Sequence, residues 1–205
     1  MADALTADPQ TLPALRPGAI ILARHGEPAL SRDVKLTARG YREFWAKYEE
    51  MGLAPGQTPP AALMDQISSA GTVISSIRNR SIESAVALCR GREFTRDPIF
   101  VEAPLPPPDW PSVVKLAPST WGFLARFWWW FFNHHQGEET RRQAEARADQ
   151  AAALVEGLAA DGRDVVVLAH GFFNFMVGRA LRRRGWKMTA NQGWKYWSTR
   201  RYERP

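Results

Sequence analysis

The stretch Ala19-Ile20-Ile21-Leu22-Ala23-Arg24-His25-Gly26-Glu27 decides the fold. Its first five residues are a continuous apolar run of strand length, the pattern of a strand buried on both faces. The abrupt Arg-His-Gly-Glu puts a cation, an imidazole and a permissive glycine at the strand's end. In open α/β sheets that end is where ligands bind. The pattern recurs late in the chain, where Asp164-Val165-Val166-Val167-Leu168-Ala169 runs into His170-Gly171. Two buried strands, each ending in His-Gly, bring two imidazoles to one edge of a sheet.

Between these strands the periodicity predicts helices. Thr37 is placed to N-cap one, with Tyr41, Phe44, Trp45, Tyr48 and Met51 as its apolar stripe. Pro55 to Pro60 breaks the chain. Val73 to Ser76 reads as a short strand and Arg80 to Arg90 as a helix. Pro98 to Val101 reads as a third strand. A long helix follows at about 139–160, burying Ala148, Ala151, Ala152, Val155 and Leu158. Another helix after His170 carries Phe173, Met176, Val177 and Ala180. Trp194 to Tyr202 reads as an edge strand. Strands alternating with helices of crossover length predict an α/β fold, a three-layer α/β/α sandwich on a mostly parallel sheet.

A chain of 205 residues suits one domain, expected at 19–205 behind a flexible N-terminal segment, 1–18. The lone Cys89 excludes an internal disulfide framework and a cysteine-rich zinc site, and no metal-ligand spacing appears. Met1 to Pro17 lacks the apolar core of a signal peptide, and no apolar run reaches membrane-spanning length, so a cytoplasmic location is the default. The net charge of +6 is compatible with anionic substrates, nucleic acid or an acidic membrane surface. A solvated basic surface is the favoured reading, and Arg182-Arg183-Arg184 and Lys187, near a helix end that favours cations, explain part of the excess. No nucleic-acid partner is expected.

The segment 104–136 is too long and too apolar for a simple connection and reads as an insertion. Within it, Phe127-Trp128-Trp129-Trp130-Phe131-Phe132 cannot bury every ring on one side of any regular element. A hydrophobic cap is one reading. The others are a pocket for an apolar substrate body and a membrane-surface contact through Trp128–Phe132. The insertion leaves from the end of the third strand, so its rings are expected to cover the site.

Four motifs in order carry a resemblance: Arg24-His25-Gly26-Glu27, Leu36-Thr37-Ala38-Arg39-Gly40, Ser75-Ser76 with Arg80, and His170-Gly171. Together they resemble the histidine phosphatase superfamily, the phosphoglycerate mutase-like group, over about 20–202. Ala169 to Asn174 and the late Tyr196-Trp197 look like its phosphatase branch. The resemblance implies metal-independent phosphomonoester hydrolysis with no cofactor. His25 would take the phosphoryl group as a phosphohistidine, Arg24 and Arg80 would bind phosphate, and His170 would hold a phosphoryl oxygen. A small-molecule phosphomonoester would be the substrate. Arg78 competes with Arg80 for the phosphate role.

The general acid departs from the family pattern. Where many members carry Leu-x-Glu, Leu105 is followed by Pro106-Pro107. Two carboxylates remain, Glu102 at the expected strand end and Asp109 in the proline run. Glu102 is the expected acid, because a strand end positions a side chain better than a loop. Ser75 reads as a backbone partner, Glu27 as structural, and His134 and His135 as loop residues. The loop after Glu27 lacks the asparagine of mutase-like members, which disfavours a phosphoglycerate-type mutase. The other rival is a non-catalytic phospho-ligand or membrane-surface binding module on the same fold.

Overall fold

The computed structural model describes residues 16–205; most of the segment expected at 1–18 lies outside the described residues. The chain builds one six-stranded sheet. Its strands are β1 (Ile20–Arg24), β2 (Thr72–Ser75), β3 (Thr95–Arg96), β4 (Val165–Ala169), β5 (Lys187–Asn191) and β6 (Thr199–Glu203), in the order β3-β2-β4-β1-β6-β5. β1, β2, β3 and β4 pair in parallel. β6 pairs antiparallel with both β1 and β5, so it alone runs against the others.

Alternation along the strands makes the layers. Ile20, Leu22, Val165 and Val167 face α5 (Arg141–Ala159) and α6 (Gly171–Arg183). Ile21, Ala23, Val166 and Leu168 face α2 (Ala61–Ser69) and α3 (Asn79–Cys89). Strands buried on both faces need no polar residue, which is why β1 and β4 read as unbroken apolar runs. A third cluster lies apart from the sheet. There Tyr41 of α1 (Ala38–Glu50) packs on Trp121 of α4 (Pro118–Phe132), ring centroids 6.2 Å apart. The Trp121 indole donates to the Leu36 carbonyl, 2.6 Å away.

Thr37 caps α1, accepting from Gly40 N at 3.1 Å. Three local expectations are corrected. Pro98–Phe100 is a turn of 3-10 helix, not a strand. Asp97 accepts from Ile99 N, and the proline ring stops a ladder from continuing, so β3 ends at Arg96. The C-terminal strand begins at Thr199 and lies inside the sheet, between β1 and β5. The edge is β5, where Lys187 sits in a strand and not at a helix end; all five of its residues are exposed, which hid it from a hydrophobicity pattern. Helix α2, directly after the proline break, is an element the periodicity did not indicate.

Candidate active site

Register alone brings the two imidazoles together. Arg24 pairs with Ala169 across β1 and β4, so the next residues, His25 and His170, leave the sheet side by side. Their ring centroids are 5.2 Å apart and inclined at 63°. Strand β2 lies on the far side of β4 and leads into α3, whose second residue is Arg80. Both histidines and Arg80 are buried.

The buried guanidinium of Arg80 organises the centre. Its Nε lies 3.3 Å from His25 Nε2 and one terminal nitrogen 3.2 Å from His170 Nδ1. It also donates to the Tyr48 carbonyl at 2.9 Å and pairs with Glu49 at 2.8 Å. Arg78, the competing candidate, pairs with the other oxygen of Glu49 at 2.6 Å, and the imidazoles take their hydrogen bonds from Arg80.

The hydrogen bonds fix both tautomers. His25 Nδ1 donates to the Gly26 carbonyl at 2.6 Å, so Nε2 carries the lone pair. His170 Nδ1 accepts from Arg80, so Nε2 donates to Ser76 Oγ at 3.0 Å. Burial holds both histidines well below the ordinary imidazole range, and the charges of Arg80 and Arg24 push His25 further the same way. For His170 the further causes are Arg80, then His25, Arg78 and Arg24. Both rings are therefore neutral at pH 7.

Arg24 stacks 4.3 Å over the Tyr196 ring and donates to the Trp194 carbonyl. Its Nε is buried with no acceptor, and no carboxylate among the described residues pairs with it. A half-buried cation with an unfilled donor beside a neutral imidazole favours an anion.

Gly26 is required by packing. A Cβ there would lie 2.6 Å from Trp197 Cε2 and 2.9 Å from Gln57 Oε1. Gln57 accepts from Glu27 N at 2.7 Å and from the Trp197 indole at 3.0 Å, clamping the loop after β1.

Glu102 sits at the start of α6, accepting from Phe173 N at 2.8 Å and Phe172 N at 3.3 Å. It follows the 3-10 turn instead of a strand, and the helix end positions it. Among the described residues it is the one acidic residue lining a cavity of about 600 Å³ that also exposes Arg24, His25, Arg80 and His170. Asp109 is elsewhere, paired with Arg42 and bonded to Gln136 at 3.1 Å. The described residues contain no group of three or more His, Cys, Asp or Glu spaced to hold a metal.

The aromatic run is the second half of α4. Its members divide by helical phase: Phe127, Trp130 and Phe131 line the cavity together with Phe123. Trp128 and Trp129 do not. Trp129 is fully buried, its indole donating to the Glu139 carbonyl at 2.9 Å, and Trp128 packs on Trp110 at 5.7 Å. The expectation that the run covers the site holds for part of it, and the two central tryptophans are structural. Phe132 is exposed outside the cavity. No helix among the described residues is long and apolar enough to cross a membrane.

Sequence reasoning named His25, His170, Arg24, Arg80 and Glu102, and the structure gathers all five around one cavity. It missed Glu49 and Gln57, and it placed Ser76 in a motif and Tyr48 in a helix stripe without giving either a role at the site.

No family model matches the chain, and no curated protein matches it. Solved structures do. An open reading frame product from Mycobacterium tuberculosis is 22% identical with a TM-score of 0.55, over 90% of each chain. A mycobacterial glucosyl-3-phosphoglycerate phosphatase is 21% identical with a TM-score of 0.55, over 82% of this chain and 81% of that one. A phosphoglycerate mutase from Bacillus anthracis is 13% identical with a TM-score of 0.57, over 92% of this chain and 88% of that one. The sheet order, the layers and these likenesses agree: the chain has the phosphoglycerate mutase-like fold.

Proposed function

We propose that this protein is a histidine phosphatase that hydrolyses phosphomonoesters through a phosphohistidine at His25, without a metal. The observation that carries the reading is the state of His25. Its Nδ1 proton is held by the Gly26 carbonyl, leaving the Nε2 lone pair beside Arg80. Arg24 lines the same cavity, and its Nε has no acceptor among the described residues. Neutral nucleophile, fixed tautomer and adjacent cations are what attack on a dianionic phosphate requires.

In the first step His25 Nε2 bonds to phosphorus as the ester P–O bond breaks. Glu102 acts as the general acid and passes a proton to the departing alkoxide. Arg24 and Arg80 hold the equatorial oxygens as charge spreads over them, and the His170 ring joins them by taking a proton at Nδ1, the nitrogen that faces Arg80. In the second step water attacks phosphorus, its proton passes to the Glu102 carboxylate, and the P–N bond breaks to restore His25. The burial of His25 favours this cycle, because the imidazole leaves neutral.

A mutase would need its phosphoenzyme to outlast product exchange. The likeness to a mutase is one of fold, and the loop after Glu27 lacks the asparagine of that branch. Hydrolysis is therefore the reading. The test is turnover of an aryl phosphate in the presence of EDTA, with alkaline quenching to trap the phosphoenzyme. Activity should persist with chelator, label should map to His25, and His25→Ala should lose activity by about three orders of magnitude or more. Unchanged turnover in His25→Ala, or complete loss with EDTA, overturns it.

A further inference from the structure

The cavity is far larger than a phosphate needs. About 600 Å³ is a volume that encloses a drug-sized ligand. The histidines and Arg80 occupy its floor. Its outer walls are rings from three helices: Phe44 of α1, Phe172 and Phe175 of α6, and Phe123, Phe127 and Phe131 of α4. The last three recur every four residues, so they form one stripe facing the opening. They are 67%, 39% and 66% exposed, unfilled hydrophobic surface at the mouth of a catalytic centre.

Among the described residues, the hydroxyl-bearing side chains lining the cavity are Ser119, Tyr41 and Tyr48, and the remaining donors are the indoles of Trp45, Trp130 and Trp194 and the charged side chains, with no side-chain amide. The Tyr48 hydroxyl already accepts from Arg32 at 3.0 Å. Arg126 is turned back onto the Gly122 carbonyl at 2.8 Å and lies 5.6 Å from the Phe172 ring centroid. A sugar or glycerol body would gain nothing from the Phe stripe, and desolvating its hydroxyls against those rings would be costly. A flat apolar body would meet ring faces and edges on several sides.

Resting on the reading of the site as a phosphomonoester hydrolase, we propose that it selects phosphomonoesters whose alcohol carries a bulky apolar ring system, enclosed by Phe123, Phe127 and Phe131. α4 is thus a specificity element, and its Phe stripe is the part that contacts the substrate.

The test compares 2-(2-naphthyl)ethyl phosphate with glycerol 3-phosphate. Both release a primary alkoxide, so leaving-group chemistry does not separate them. The naphthyl ester should be favoured in kcat/KM by about fiftyfold, the effect of removing on the order of 100 Å² of ring surface from water. Phe127→Ser/Phe131→Ser, at two exposed positions, should retain its thermal transition and shrink that ratio at least fivefold, through KM. Equal kcat/KM for the two esters, or a ratio unchanged in the variant, overturns the proposal. Turnover of neither ester would sink the hydrolase reading alone, and calorimetric binding of the same two esters would then decide. Tighter naphthyl ester binding that weakens in the variant supports the pocket assignment, and equal binding overturns it.

Discussion

Glu49 of α1 and Arg80 of α3 form an ion pair of 2.8 Å between two helices, and the arginine is fully buried. Helix α1 thereby supplies the counter-charge for a guanidinium that α3 presents to both histidines. Without substrate, this pair is what makes burial of the cation tolerable, since an unpaired buried charge is strongly destabilising.

Glu49→Gln keeps the shape and removes the charge. It should lower stability by about 2–3 kcal/mol, and inorganic phosphate should restore more stability to the variant than to the parent, because the anion replaces the missing charge. Urea unfolding with and without phosphate checks this. Equal stability, or an equal phosphate response, would mean that Glu49 does not position Arg80.

The histidines set a pH dependence of stability. Unfolded imidazoles titrate near about 6.5, and burial holds both His25 and His170 well below that in the folded chain. The unfolded state then takes up protons that the folded state refuses. Stability is full above the unfolded value and falls as pH drops below it, by up to about 1.4 kcal/mol per pH unit for each ring. Urea unfolding at pH 7 and pH 5.5 should show this fall, and His25→Asn/His170→Asn should flatten it. A slope that survives in the double variant assigns the effect to other groups.

Gly26→Ala places a methyl group 2.6 Å from the Trp197 ring. Trp197 sits at φ +61, a left-handed conformation held by its bond to Gln57, and has little freedom to move aside. The substitution should shift His25 and cut kcat by about a hundredfold, as a displacement of about 1 Å does in a positioned site. Trp197→Ala in the same chain should recover part of the loss. Full activity in Gly26→Ala would contradict the packing argument.

Glu102→Gln should slow alkyl phosphates by about a hundredfold or more and aryl phosphates far less, since an aryl oxide leaves with little protonation. Asp109→Asn, outside the cavity and paired with Arg42, should change both modestly. The selective defect appearing in Asp109→Asn would move the acid role to that residue.

The legible parts of this molecule are those where local pattern and tertiary role coincide. β1 and β4 are buried on both faces, so their apolar runs and terminal His-Gly pairs were readable, and parallel register did the rest. Thr37 was readable because a cap is a local bond. β5 was not, because none of its residues is buried, and Pro98 masked the true end of β3. Glu49 was illegible for another reason. Its role exists only where α1 and α3 meet, and nothing in the sequence of α1 alone distinguishes it from its neighbour Glu50. The rings of α4 fall between these cases: composition marked the run, but helical phase decided that Phe127 and Phe131 face the cavity while Trp129 is core.

The central claim is a covalent phosphoryl group on His25, and stereochemistry tests it whether or not the intermediate accumulates. A phosphomonoester made chiral at phosphorus with oxygen isotopes would be hydrolysed in labelled water and the configuration of the released phosphate determined. Transfer to His25 and then to water is two in-line displacements and predicts net retention. Net inversion would mean that water attacks the ester directly, and would contradict the assignment of His25 as nucleophile.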